Sequence, residues 1–339
     1  MDADLIIIGS GVGGATLASA LAPSGLKILI LEKGARLRPC PEARDDVAIF
    51  QHGHFAPTET WMGSDGTPFV AGNHYVVGGN SKFYGAVMYR YREADFQPRP
   101  HMQGASPGWP IQYADLEPWY GKAETLFRVR GAAGQDPTEP PRATPYSYPP
   151  VPDEPVMAKV RDRLARAGAH PSSLPLAIDI DAWLVEGATG WDAFPNTGTG
   201  KIDAESGPLT DALAHENVRL LTGAEVLRLE TDTAGRKVTA VIVRVNAQEQ
   251  RLTARAFAVA AGAVQSAALL LRSANTAHPT GLANGSDQVG RNFMNHNSSA
   301  MLTINPFLRN TSVYQKTLSF NDFYDHDPQT GFPLGNVQG

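Results

Sequence analysis

The residues with the clearest chemical purpose stand at the start of the chain. The apolar run Leu5-Ile6-Ile7-Ile8 leads directly into Gly9-Ser10-Gly11-Val12-Gly13-Gly14. A second apolar run, Ile28 to Leu31, ends in Glu32, 23 positions after Gly9. Together these residues can grip an adenine dinucleotide. Gly9 turns the chain off a strand, Gly11 lets the backbone approach a pyrophosphate, and Gly14 lets a helix pack closely on that strand. Free N–H groups at the helix N-terminus favour the phosphates. Glu32 falls where a second strand should end, beside the ribose, and its carboxylate can accept the hydroxyl protons. A 2′-phosphate would meet a like charge there, so NADP is disfavoured. The motif fixes the cofactor class, leaves open the chemistry that cofactor serves, and suits FAD and NAD equally.

Other candidates are weaker. His52 and His54 form an i, i+2 pair that on a strand would share a face. No neighbouring run of Cys, Asp or Glu completes a metal set, so they read as a loop pair and no metal is expected. His74 precedes a second glycine-rich stretch and is the best further candidate for a contact on the cofactor side. The sequence holds no P-loop, which removes the common NTPase reading.

The elements that must position these residues follow from periodicity. Residues 5–8 show no alternation, which suits a strand buried on both faces. Ala15, Leu17, Ala18, Ala20 and Leu21 give the next helix a small, apolar packing surface, and Pro23 with Gly25 marks its exit. Residues 34–75 read as irregular. Val76 to Ala86 holds Gly78-Gly79-Asn80-Ser81 and Gly85, an amide-rich turn that either approaches a ligand or is an ordinary loop. Asp115 is placed to cap a helix containing Glu117 and Pro118, with Trp109, Tyr113, Trp119 and Tyr120 expected in the core. Residues 131–155 are proline-dense and read as a long crossover; Val156 to Ala167 has helical spacing.

The region 205–271 is the most legible part of the remainder. It reads as a helix over 206–215 and a strand over 218–221. Alternating strands at 226–230 and 238–245 are joined through Ala234-Gly235. A polar turn at 246–250 and a weaker strand at 252–255 follow. A return strand, 257–261, then enters Gly262 and a helix over 264–271. A β-meander inserted into a dinucleotide-binding sheet points towards flavoproteins.

The chain has 339 residues, enough for about two domains. Its formal charge of −5, without a basic stripe, makes nucleic acid and anionic membrane unfavourable partners. Cys40 is the only cysteine, so no internal disulfide can form. The first strand begins too close to Met1 for a signal peptide, and no apolar run is long enough to span a bilayer; a cytoplasmic location is expected.

Taken together, these residues resemble the glucose–methanol–choline (GMC) oxidoreductase family of FAD enzymes. The fingerprint ending at Glu32 looks like the family's ADP-binding unit, and Gly78 to Gly85 like its flavin-proximal loop. Trp109-Pro110 to Tyr120 is similar to a segment of bacterial members. Ala260-Ala261-Gly262-Ala263 with Val289-Gly290-Arg291-Asn292-Phe293-Met294-Asn295-His296 resembles the later nucleotide-side loop and its VGRN-M-H segment. Asn80 stands where the family usually has Ser or Thr, Tyr84 where it has Asn or His, and Asn295 where Asp is common.

The resemblance implies an α/β fold. An FAD-binding Rossmann-like (three-layer ββα) domain with an inserted meander would span 1–130 and 200–298. Part of an α+β substrate domain would occupy 131–199 and 299–339. It implies FAD as cofactor, held by Gly9, Gly11, Gly13, Gly14, Glu32, Lys33, Gly78, Gly79, Asn80, Ser81, Tyr84, Gly85, Val226, Ala261 and Gly262, with Tyr84 facing the flavin. The donor would be an alcohol or sugar CH–OH group, with oxygen, a quinone or a cytochrome left open as acceptor. The family's catalytic His has no counterpart here and is expected beyond residue 339, as in a fragment of a longer enzyme. His296 is expected to bond local backbone. A NAD-linked dehydrogenase with an insert and a non-catalytic nucleotide-binding remnant are the alternatives.

Overall fold

A computed structural model gives the fold; it describes every residue except Asn297, Leu308 and Gln315. The chain divides into two compact units. The first holds Met1–Phe83 and Asp203–Ile304, the second Tyr84–Ile202 and Asn305–Gly339. The first crossing therefore lies at residue 83, earlier than the position near 130 read from the proline-dense stretch. The reason is local: Phe127 and Val129 pack with Ala177 and Ile202, against Tyr84 and Met88.

The first unit is built on a six-stranded sheet. Its strands are β1 (Ala3–Ile8), β2 (Ile28–Leu31), β3 (Val218–Leu221), β4 (Ala224–Thr231), β5 (Val238–Val245) and β6 (Gln248–Val259), in spatial order β3-β2-β1-β6-β5-β4. Helix α1 (Val12–Leu21) follows β1, and α2 (Ala263–Arg272) follows β6. β3, β2, β1 and the second half of β6 run parallel, while β5 pairs antiparallel with both β6 and β4. The apolar run in β1 serves both faces. Leu5 and Ile7 pack with Ala15 and Ala18 of α1, whereas Ile6 and Ile8 pack with Val241 and with Leu269 of α2.

β6 corrects the expected meander. The weak strand at 252–255 and the return strand at 257–261 are one strand of 12 residues. Its first half follows β5 through Asn246 and Ala247, both at positive φ, and pairs as far as Thr253. From Ala254 onwards it lies along β1. The helix expected over 206–215 is likewise broken: a wide turn at Glu205–Leu209 precedes one helical turn, Thr210–Leu213. Pro208 lacks an N–H and disfavours helical geometry in the residue before it, Gly207.

The second unit carries helices Tyr113–Leu126, Pro155–Arg166 and Ile180–Val185, and a small sheet of Ser172–Ser173, Leu318–Phe320 and Val337–Gln338. Gln112, not Asp115, caps the first of these helices; the Asp115 carboxylate accepts the Gln112 N–H at 2.9 Å. Of the four aromatics expected in the core, Tyr113 is buried, but Trp109 and Trp119 are 54% and 60% exposed. The inward face of that helix is occupied by Glu124 and Tyr113, which hold the buried Arg90. Trp119 turns outward under the Lys122 ammonium, 4.3 Å from its ring centre.

Candidate functional site

The carboxyl ends of β2, β1 and β6 meet, as open parallel sheets require of a ligand crevice. The Gly9 N–H donates to Leu31 O at 2.8 Å, and the Ala260 N–H to Ile8 O at 2.8 Å. A cavity of about 330 Å3 opens there. At its floor α1 begins at Gly11 with no side-chain cap. A Cβ on Gly13 would meet nothing within 4 Å, so the first turn of α1 presents bare backbone to the cavity. Gly9, at φ 101°, carries the turn; a Cβ there would strike the Ala260 carbonyl. Gly14 faces the other way, where a Cβ would collide with the Gly9 carbonyl oxygen. It therefore packs the helix rather than lining the cavity.

The second glycine turn closes on the first. Gly78 and Gly79 both have positive φ, and a Cβ on Gly79 would lie 3.3 Å from the Gly11 Cα. Opposite them α2 begins at Gly262, also without a side-chain cap. Two uncapped helix N-termini thus line one cavity, a setting that favours a polyanion. Glu32 sits at its edge. Its carboxylate accepts from Ser10 N (3.0 Å), Ser10 Oγ (2.7 Å) and Gly34 N (2.9 Å). Lys33 lies beside it, paired with Glu225 at 3.2 Å and over the Tyr75 ring at 4.1 Å.

A family model for GMC oxidoreductases matches residues 3–298. The chain belongs to the GMC oxidoreductase family. Among GMC relatives it is similar to the 6′′′-hydroxyparomomycin C oxidase of Streptomyces lividus, with 34% identity over 85% of this chain and 53% of that protein. The paromamine 6′-oxidase of Streptomyces fradiae is 35% identical over 85% of this chain and 52% of its own. The fructose dehydrogenase large subunit of Gluconobacter japonicus is 27% identical over 87% and 59%. This GMC chain thus spans about half the length of the curated relatives it matches. Its fold is similar to that of an FAD-dependent oxidoreductase from Chaetomium thermophilum, with a TM-score of 0.55 at 17% identity over 80% of this chain and 47% of that one.

FAD is the cofactor of this family, and the residues present fit it. The bare Gly11 and Gly13 backbone, the two helix N-termini and the Glu32 carboxylate match a pyrophosphate and a ribose in turn. Of the fifteen contacts read from the sequence, twelve line this cavity: Gly9, Gly11, Gly13, Glu32, Lys33, Gly78, Gly79, Asn80, Ser81, Val226, Ala261 and Gly262. Gly14 packs behind it. Tyr84 and Gly85 belong to the second unit. There the Tyr84 hydroxyl donates to Ile202 O at 2.5 Å. The Val289–His296 segment is held by its own bonds, such as Val289 N to Asn284 Oδ1 at 3.0 Å. His296 is exposed, with no hydrogen bond among the described residues, so the local backbone bond expected of it is not made.

Sequence reading missed the residues that join these parts. Ser10 is fully buried. Its Oγ donates to Glu32 and accepts the Gly78 N–H at 3.2 Å, coupling the two glycine turns; its position between Gly9 and Gly11 was the available signal. Beneath the second turn, buried Lys82 pairs with Asp203 (3.1 Å) and Glu205 (2.5 Å). Along the wall, Gln265 donates to Tyr75 Oη at 2.6 Å, and Tyr75 donates to Glu59. Burial, then the Glu59 carboxylate, pushes the Tyr75 phenol up to about 12. The His74 ring stacks on Phe83 at 3.7 Å, and burial lowers its pKa against a backbone bond to Phe55 that raises it. His74 lines the cavity as a neutral aromatic wall.

Proposed function

We propose that this chain carries the FAD-gripping part of an oxidoreductase that oxidises the CH–OH group of an alcohol or a sugar. The observation that carries the reading is the convergence of two glycine turns and a buried ribose-facing carboxylate on one cavity. Bound there, FAD supplies the hydride acceptor. The protein's part is to hold the pyrophosphate on the Gly11–Gly13 backbone, to orient the ribose through Glu32, and to fix the second turn through Ser10 and Lys82. The unit Met1–Phe83 with Asp203–Ile304 is the cofactor domain in this reading, and the other unit belongs to substrate recognition. Paromamine and 6′′′-hydroxyparomomycin C, named for the Streptomyces relatives, are the first substrates to test. The substrate-side base is assigned to a histidine in the half of the relatives that this chain does not span. His74 is stacked and His296 is exposed, and neither suits the role.

The test is flavin content. Gentle purification followed by heat release should give about one FAD per chain, and a Gly13→Val variant should lose it while keeping its circular dichroism. A flavin-free chain that binds NADH instead would overturn the reading in favour of a NAD-linked dehydrogenase.

A further inference from the structure

Cys40, Glu42 and His54 lie outside the dinucleotide cavity, in the stretch that reads as irregular from sequence. The fold brings their ligand atoms, a sulfur, a carboxylate oxygen and an imidazole nitrogen, within 4.8 Å of one another. The backbone builds this meeting. Cys40 precedes the tight turn Pro41–Arg44, whose Ala43 N–H donates to Cys40 O at 3.1 Å, so Cys40 and Glu42 rise from one turn. The wide turn Val47–Gln51 then reverses the chain. The His54 N–H donates back to Ala48 O at 2.9 Å. Cys40 and Glu42 are half-buried and His54 is exposed. Among the described residues none of the three side chains has a hydrogen bond or ion pair; the His54 ring only touches the Phe55 ring edge-on at 4.7 Å.

The chemistry of this donor set is selective. Hard cations such as Mg2+ and Ca2+ take oxygen ligands, whereas a thiolate, an imidazole and a carboxylate together suit Zn2+. With Zn–S of about 2.3 Å and Zn–N of about 2.0–2.1 Å, tetrahedral donors stand roughly 3.6 Å apart. No two of the three atoms stand more than about 1.2 Å beyond that spacing. We propose that Cys40, Glu42 and His54 form a Zn2+ site with a fourth position for water. The expectation of no metal rested on His52 and His54 as the pair; here His54 meets Cys40 and Glu42 instead. The ion would clamp the chain immediately before Phe55 to Glu59. Glu59 accepts the hydroxyl of Tyr75, which lines the dinucleotide cavity.

The experiment titrates the tag-free, metal-stripped full chain with Co2+, then displaces it with Zn2+. About one equivalent of Co2+ should raise a near-ultraviolet thiolate-to-cobalt band, which Zn2+ abolishes. Because Cys40 is the only cysteine, a thiol reagent reports on it alone, and Zn2+ should slow its modification at least about tenfold. Cys40→Ser should remove the band, and Glu42→Gln and His54→Ala should each weaken binding about tenfold or more. His52→Ala should bind as the parent does. A parent chain with no thiolate band, or with Cys40 modified at the same rate with and without Zn2+, overturns the site, as does His52→Ala weakening binding as much as His54→Ala. Should Cys40→Ser fail to fold, the protection of Cys40 in the parent chain still decides.

Discussion

Replacing Ser10 with alanine tests the coupling of the two glycine turns. The hydroxyl is fully buried, gives a 2.7 Å bond to the Glu32 carboxylate and takes the Gly78 N–H at 3.2 Å. Alanine fits the same space, so packing changes little and the loss is polar. A hydrogen bond to a charged acceptor is worth about 1.5–3 kcal/mol, and a buried N–H left unpaired costs about 1–3 kcal/mol. Glu32 keeps its bonds from Ser10 N and Gly34 N, so the first term falls at its lower end. A total of about 2–4 kcal/mol of folding stability should be lost. The Gly78 turn and Glu32 line the same cavity, so in the proposed reading affinity for FAD should also fall, about tenfold for each 1.4 kcal/mol expressed in binding. Urea unfolding of the cofactor-free chain gives the first quantity and fluorescence titration with FAD the second. An S10A chain with the parent's unfolding midpoint and FAD affinity refutes the coupling.

Further outcomes follow from the same geometry. Gly14→Ala should destabilise by about 1–3 kcal/mol or more, because its Cβ meets the fixed Gly9 carbonyl. Gly13→Ala, with open space around its Cβ, should leave thermal stability unchanged or slightly raised and weaken only FAD binding. Lys82→Met takes the ammonium away from Asp203, whose side chain is 0% exposed and keeps its bonds from the Glu205 and Ser206 N–H groups, and should cost about 3 kcal/mol in urea unfolding; a second change, Asp203→Asn, should recover part of it. The His74 pKa is lowered by burial from 6.5. Its contribution is therefore complete above the unfolded value and is lost as pH falls below it, because the unfolded chain takes up the proton first. Urea midpoints across that range should show this slope, and His74→Phe should flatten it.

The first motif was legible because every part of it is local. The glycines, the apolar runs and Glu32 lie within one βαβ unit, where spacing along the chain translates directly into position. β6 was misread for the opposite reason. Its partner changes from β5 to β1 at Ala254, and after Arg255 the alternation gives way to the unbroken apolar run Ala256 to Ala261, as in two separate strands. Trp109 and Trp119 were assigned to the core by hydrophobicity; the buried Arg90–Glu124 pair decided which face of their segment turned inward.

The sequence by itself determined the cofactor grip, since turn, helix and acid are set by residue type over some thirty positions. Tertiary structure decided what braces that grip and where the chain divides. Ser10 reaches Gly78 across 68 positions, and Lys82 reaches Asp203 and Glu205 across more than 120. The chain passes into the second unit at Tyr84, where its hydroxyl meets Ile202 O across 118 positions. Such contacts carry no periodic signature, because nothing in the spacing of a hydroxyl, an ammonium or a thiol along the chain records which distant group the fold will set beside it.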